Sequence, residues 1–243
     1  MENYILVNKL EPKTFMGERR RSWASNDLCV DLSHYSAGCS LSKHQHRDAF
    51  YCFVLNGGFE ENANGRSEVF SSGALVYHSP GCEHSNQWHL AGRCLHVELG
   101  DSYFEGVKRT TLTEPPLRNI NGRACDVVRR IYLELLHVDT TSNLAFEGLA
   151  LLLLAETIRE SDRESTAPRW LQGVRDRLQD DYIAVSSLHQ LAISAGVHPT
   201  HLATSFQKHF GVSIGEFVRS RRVERAQEIL AETDMPLDRK SVV

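Results

Sequence analysis

Residues 188–222 read LHQLAISAGVHPTHLATSFQKHFGVSIGEFVRSRR, and their spacing narrows the fold more than any other stretch. Leu188, Leu191, Ala192 and Ala195 recur at helical intervals along one stripe. Gly196 then interrupts the pattern with the residue that adopts positive φ at no steric cost, as a tight turn requires. Pro199 suits the first turn of a following helix, where its missing N–H would have no partner anyway. Leu202 and Phe206, four apart, give that second helix a buried face. Its other face carries Thr200, His201, Ala203, Thr204, Gln207 and Lys208, with no acidic residue among them. A helix–turn–helix of this kind fits the major groove of DNA, and Arg219, Arg221, Arg222 and Arg225 downstream are suited to phosphates. Two ordinary surface helices are the alternative. The arginine run favours DNA binding.

Charge supports a local basic module. The whole chain carries a net charge of −4, whereas residues 196–225 hold Lys208 and four arginines against Glu216 and Glu224. The rest is therefore acidic, as expected of a sensor carrying a small basic unit. Six cysteines (29, 39, 52, 82, 94 and 125) form no CxxC pair, and the N-terminus has no signal-peptide pattern. They read as reduced, mostly buried thiols of a cytoplasmic protein. The most apolar run, Leu149–Ala155, is too short to span a bilayer, so no membrane partner is expected.

Three zones separate by period, giving an α+β chain. Residues from about 5 to 112 alternate in short runs such as Tyr51–Leu55, Glu68–Phe70, Leu75–Tyr77 and Cys94–Leu99, punctuated by Gly- and Asn-bearing turns. They predict an antiparallel barrel or sandwich over residues 1–116. Residues 117–164 turn helical, with Val127, Val128, Ile131, Leu135 and Leu136 on one stripe and a Leu-dense run over Leu144–Ile158. That run is too wide for one-sided burial, so it either packs between layers or meets its copy in a homodimer. The polar stretch SDRESTAPR at 161–169 reads as a linker. Residues 165–243 then form the helical DNA-binding unit, with helices over Trp170–Leu178 and Ile214–Ala231 flanking the pair.

The C-terminal zone, roughly residues 170–237, resembles the AraC/XylS transcription regulators. The matching features are Ala-x-x-x-Gly, Pro-x-x-Leu-x-x-x-Phe, Phe-Gly-x-Ser and a helix with Arg222, Ala226 and Leu230 four apart. The N-terminal zone resembles the cupin-type ligand-binding domain of the same family. Gly38, His44, His46 and Gly58 follow the first cupin signature, with Tyr51 where a glutamate would stand. Gly73, Pro80-Gly81 and His84 follow the second, with Ser79 at a usual Pro position. The resemblance implies a small double-stranded β-barrel and an effector-responsive, DNA-binding regulator. It also implies a second helix–turn–helix after Leu237, but the residues from Asp238 to Val243 do not fit its start. A chain truncated there would lose one half-site and bind DNA less tightly.

Two His at i, i+2 face the same side of a strand, and a third on a neighbouring strand completes a triad. His44, His46 and His84 would then hold Zn, Fe, Ni or Cu, with the usual carboxylate missing. The same three residues with Tyr51 would otherwise line a polar pocket for a small organic effector, or merely lend polarity to a barrel mouth. Trp88, Phe53 and His96 are further strand residues whose side alternation alone leaves open, while His34, His78, His89, His137 and His189 show no partner pattern. Glu83 and Asp48 are offset away from the triad. With no Ser-His-Asp order, P-loop or GxGxxG, the chain is expected not to be an enzyme. The competing class is a cupin metalloenzyme, an oxygenase or isomerase, using His44, His46 and His84. Apart from that metal no cofactor is implied. For DNA, Thr200, His201, Ala203 and Thr204 are the base-facing candidates, and Lys208, Arg219 and Arg221 the phosphate contacts.

Overall fold

A computed structural model describes residues 8–63, 65–107, 118–119, 123–165, 167–180, 187–219 and 221–222. The alternating segments become strands: β1 Asn8–Leu10, β2 Glu18–Ala24, β3 Leu28–Tyr35, β4 Ser40–His46, β5 Ala49–Asn56, β6 Gly58–Ala63, β7 Arg66–Ser71, β8 Leu75–His78, β9 His84–Gln87, β10 Gly92–Leu99 and β11 Arg118–Asn119. They form a five-stranded sheet in the order β1-β4-β9-β6-β7 and a six-stranded sheet in the order β11-β8-β5-β10-β3-β2. Pairing is antiparallel except between β1 and β4. The two-sheet architecture expected of the N-terminal zone is present. The expected boundary at residue 116 lies outside the described residues.

Strand β5 fixes the layering. Its odd residues Ala49, Tyr51 and Phe53 join one apolar cluster with two helices, α1 Arg123–Leu136 and α2 Ser142–Ser165. Its even residues Phe50, Cys52 and Val54 join a second cluster between the sheets. A strand covered on both faces reads as a continuous apolar run, which is why AFYCFVL shows no polar alternation. Gly57 turns β5 into β6 at φ 74°, and a side chain there would stand 2.5 Å from the Ala91 carbonyl oxygen. Only glycine meets both demands.

Helix α1 buries Val127, Val128, Ile131 and Leu135 of the expected stripe; Leu136 is half-buried. Before α2, the Asp139 N–H donates to Ser142 Oγ (2.8 Å), and Asp139 Oδ1 accepts from the Thr141 N–H (2.7 Å). Phe146, Ala150, Leu153 and Leu154 pack into the α1 cluster, so one face of the Leu-dense run is covered within the chain. Leu144, Leu151 and Leu152 face outward. The linker expected at 161–169 is mostly helix, because α2 continues to Ser165 and α3 begins at Arg169. Glu, Arg and Ser do not stop a helix on polarity alone; Pro168 does, by removing a donor and disfavouring helical φ/ψ before it.

Helices α3 Arg169–Asp180, α4 Leu188–Ser194 and α5 Pro199–Phe210 share a third cluster of Leu171, Val174, Leu178, Leu191, Ala192, Leu202, Phe206 and Phe217. The Ser187 side chain caps α4 by accepting from the Gln190 N–H. Gly196 lies at φ 68° in the turn, and Pro199 sits in the first turn of α5. Leu188 departs from the expected stripe: it is 40% exposed. Of the expected helix Ile214–Ala231, residues 214–219 and 221–222 are helical, and residues 223–243, with Ala226, Leu230 and the tail, lie outside the described residues. The six cysteines are free, five of them buried. Among the described residues no helix is long and apolar enough to cross a membrane.

Candidate metal centre

Three strands of the five-stranded sheet build the centre. On β4 a register shift between Leu41 and His44 breaks strict alternation, so that Leu41, His44 and His46 are all buried. Such a bulge re-aims the residues that follow it. On β9, His84 and Asn86 face inward, and His84 pairs directly with His44. The His44 and His84 rings lie 4.3 Å apart, with His46 at 5.4 and 5.7 Å from them. One nitrogen from each of the three lies within 4.8 Å of the others. His44 donates Nδ1–H to the Ser42 carbonyl (2.8 Å) and His84 donates Nδ1–H to the Cys82 carbonyl (3.1 Å). Those bonds leave each Nε2 lone pair free to bind a metal. His46 Nδ1 is buried without a hydrogen-bond partner.

On β6, Phe59, Glu61 and Ala63 are buried, and Glu61 pairs with Asn86. The facing sheet contributes Phe50, Cys52, His78 and His96. His78 Nε2 donates to Glu61, at 2.9 Å from Oε2 and 3.1 Å from Oε1, and Asn86 Nδ2 donates to Oε2 at 3.0 Å. Phe50 stacks on His78 with centroids 4.3 Å apart, and Phe15, from the segment before β2, stacks on His96 at 4.2 Å. The void is small, about 30 Å³. That suits one or two water-sized occupants rather than a bulky organic molecule.

Burial sets the protonation states. Loss of hydration, with the neighbouring imidazoles, pushes His46 down to about 2 and both His84 and His96 to about 3. His44 is lowered by burial, with its bond to Ser42 working the other way. For Glu61 burial acts upward, but His78, His84 and Asn86 outweigh it and hold the carboxyl at about 2. At neutral pH His44, His46, His84 and His96 therefore offer uncharged imidazole lone pairs in the cavity that holds the Glu61 carboxylate.

The structure brings His44, His46 and His84 together as the spacing predicts. Tyr51 is a correction: it lies on the opposite face of β5, in the core beneath α1 and α2, with its hydroxyl beside Thr157. Phe53 shares that face, whereas Trp88 and His96 line the cavity. Glu83 pairs with Lys43 at the surface (2.5 Å) and takes no part. Sequence reasoning missed Glu61, Asn86 and His78. The phase shared by Phe59, Glu61 and Ala63 was the available signal. On α5, Thr200, His201, Thr204 and Lys208 are exposed and Ala203 half-buried; downstream, Arg219 is exposed and Arg221 half-buried.

No family model matches the sequence, and none of the curated proteins does. Solved structures do show likeness over about a third of the chain. A cupin superfamily protein from Desulfitobacterium hafniense is 13% identical, covering 34% of this chain and 76% of its own, with a TM-score of 0.33. An RmlC-like cupin from Shewanella frigidimarina is 19% identical over 35% of this chain and 79% of its own, also at 0.33. An oxalate decarboxylase variant from B. subtilis is 24% identical over 34% of this chain and 23% of its own, at 0.29. The expectation that the chain is not an enzyme is corrected here. The cavity brings one nitrogen each of the buried His44, His46 and His84 within 4.8 Å of the others, the donor set of a candidate catalytic metal centre.

Proposed function

We propose that this chain is a metal-dependent enzyme of cupin type, an oxygenase or isomerase, in which His44, His46 and His84 hold a divalent transition-metal ion. The convergence of three neutral imidazoles within 4.8 Å in a buried cavity supports this. The donor set fits: imidazole suits Zn, Fe, Ni and Cu, and the Nδ1 bonds of His44 and His84 leave Nε2 of each available. When bound, the ion supplies Lewis acidity to a substrate oxygen. Phe15, Phe50 and Trp88 supply apolar walls. Elemental analysis after reconstitution with Fe, Ni and Zn tests the assignment. One equivalent retained by the wild type and lost in His44→Ala and His84→Ala supports it; no metal retained by the wild type refutes it.

A second reading is favoured by the α4–α5 pair: DNA binding by an AraC/XylS-like regulator whose barrel ligand alters DNA affinity. Gly196 at φ 68°, Pro199 at the start of α5 and the exposed Thr200, His201, Thr204, Lys208 and Arg219 support it. The outward Leu144, Leu151 and Leu152 support a homodimer within this reading. Fluorescence anisotropy with duplex DNA tests it: Arg219→Ala should weaken binding to all sequences and lower the salt slope by about 1. Thr204→Ala should shift preference at one base pair, and equal loss on every sequence for both variants would sink the assignment.

A further inference from the structure

The strand that should carry an acidic metal ligand carries none. The expected position holds Tyr51, which faces away from the cavity, and its inward neighbour is Phe50, whose ring lies 4.3 Å from His46. A carboxylate nevertheless reaches the cavity from another strand. Glu61 lies on β6 beside β9 and pairs with Asn86, one inward residue beyond His84 on the same face. Ligand atoms of Glu61, His78 and His84 lie within 4.8 Å of one another, so His84 is common to this group and to the three-His group. Glu61 is 2% exposed, and among the described residues no lysine or arginine lines the cavity to balance it. A buried carboxylate is stabilised by positive charge nearby, which an ion held by the three-His group would add to its bonds from His78 and Asn86.

We propose that Glu61 is the acidic ligand of the metal centre, supplied from β6 in place of β5 and joining His44, His46 and His84. This rests on the metal reading above. Oε2 accepts from both His78 and Asn86, which leaves Oε1, with only the longer His78 contact, as the ligand atom. His78 and Asn86 are then positioning residues, orienting the carboxylate as outer partners orient metal ligands.

Zinc alone is the probe. Competition with a chromogenic chelator should show Glu61→Gln binding Zn²⁺ at least tenfold more weakly than the wild type, with Glu83→Gln unchanged. Co²⁺ loading should give visible bands that differ between Glu61→Gln and the wild type. Affinity within twofold and an identical Co²⁺ spectrum would overturn the proposal while leaving the three-His site standing. Failure of the wild type to bind Zn²⁺ or Co²⁺ would overturn both. Should Glu61→Gln not fold, zinc-edge anomalous diffraction from wild-type crystals decides. An ion about 2.0–2.2 Å from a Glu61 oxygen supports the assignment, and one beyond about 3 Å overturns it.

Discussion

Acid should loosen the sandwich before it protonates the buried histidines. His46 is held at about 2, and His84 and His96 at about 3, all below the usual 6.5 of histidine. With folded values depressed, the three contribute stability that is fully present above about pH 6.5 and is lost as pH falls toward the folded values. The unfolded chain takes up three protons that the fold refuses. At about 1.4 kcal/mol per proton per pH unit, the three cost roughly 6 kcal/mol between pH 6.5 and 5. Glu98 works against them. Burial raises it to about 7, so below that pH the folded chain takes up a proton that the unfolded one does not. That offsets about 3 kcal/mol by pH 5, leaving a net loss of about 3 kcal/mol. Glu61, held at about 2, adds to the loss only below about pH 4.5.

A net 3 kcal/mol corresponds to a melting temperature lower by roughly 6–12 °C at pH 5 than at pH 7 for a unit of this size. Circular-dichroism melts of chelator-treated protein measure it. Glu98→Gln removes the opposing group, so its drop should be about twice that of the wild type. A melting temperature independent of pH in both proteins would refute the assignment of neutral, buried histidines. A rise on acidification would refute it as well.

Three further outcomes test the placement of single residues. Phe206, fully buried beneath α5, should cost about 3–5 kcal/mol on truncation to Ala, read as an earlier urea midpoint; a shift below about 1 kcal/mol would mean the helices do not share that core. Gly196→Val, at φ 68°, should destabilise by about 1–2 kcal/mol because a side chain there crowds the following carbonyl, and an unchanged midpoint would remove the tight turn. Tyr51→Phe should leave Zn²⁺ affinity within twofold, since the hydroxyl sits beside Thr157 outside the cavity; a larger loss would restore Tyr51 to the site.

The three-His group was legible because its evidence is local: two His at i, i+2 and a third after a Pro-Gly turn. Even there the sequence hid the means. Strict alternation from Leu41 would send His44 outward, and only the register shift against β9 turns it in. Tyr51 was misplaced for the opposite reason. Both faces of β5 are buried, so no polar residue marks which face meets the other sheet. The C-terminal helices were read well wherever Gly196, Pro199, Leu202 and Phe206 set the pattern, while Leu188 lay at a stripe edge that tertiary packing leaves open. Glu61 was the hardest, since beside the half-buried Glu60 it looks like one of two surface acids. Its character depends on which strand lies next to it. Pairing with Asn86 sets it beside His84, and only the closing of the second sheet brings His78 to its oxygens. A motif spelled along one strand can name the histidines, but the carboxylate beside them is set by pairing across the sheet and packing between sheets. A one-residue slip of β6 would bring Glu60 to the inner face and turn Glu61 to solvent, abolishing the carboxylate–histidine contact with no change in composition.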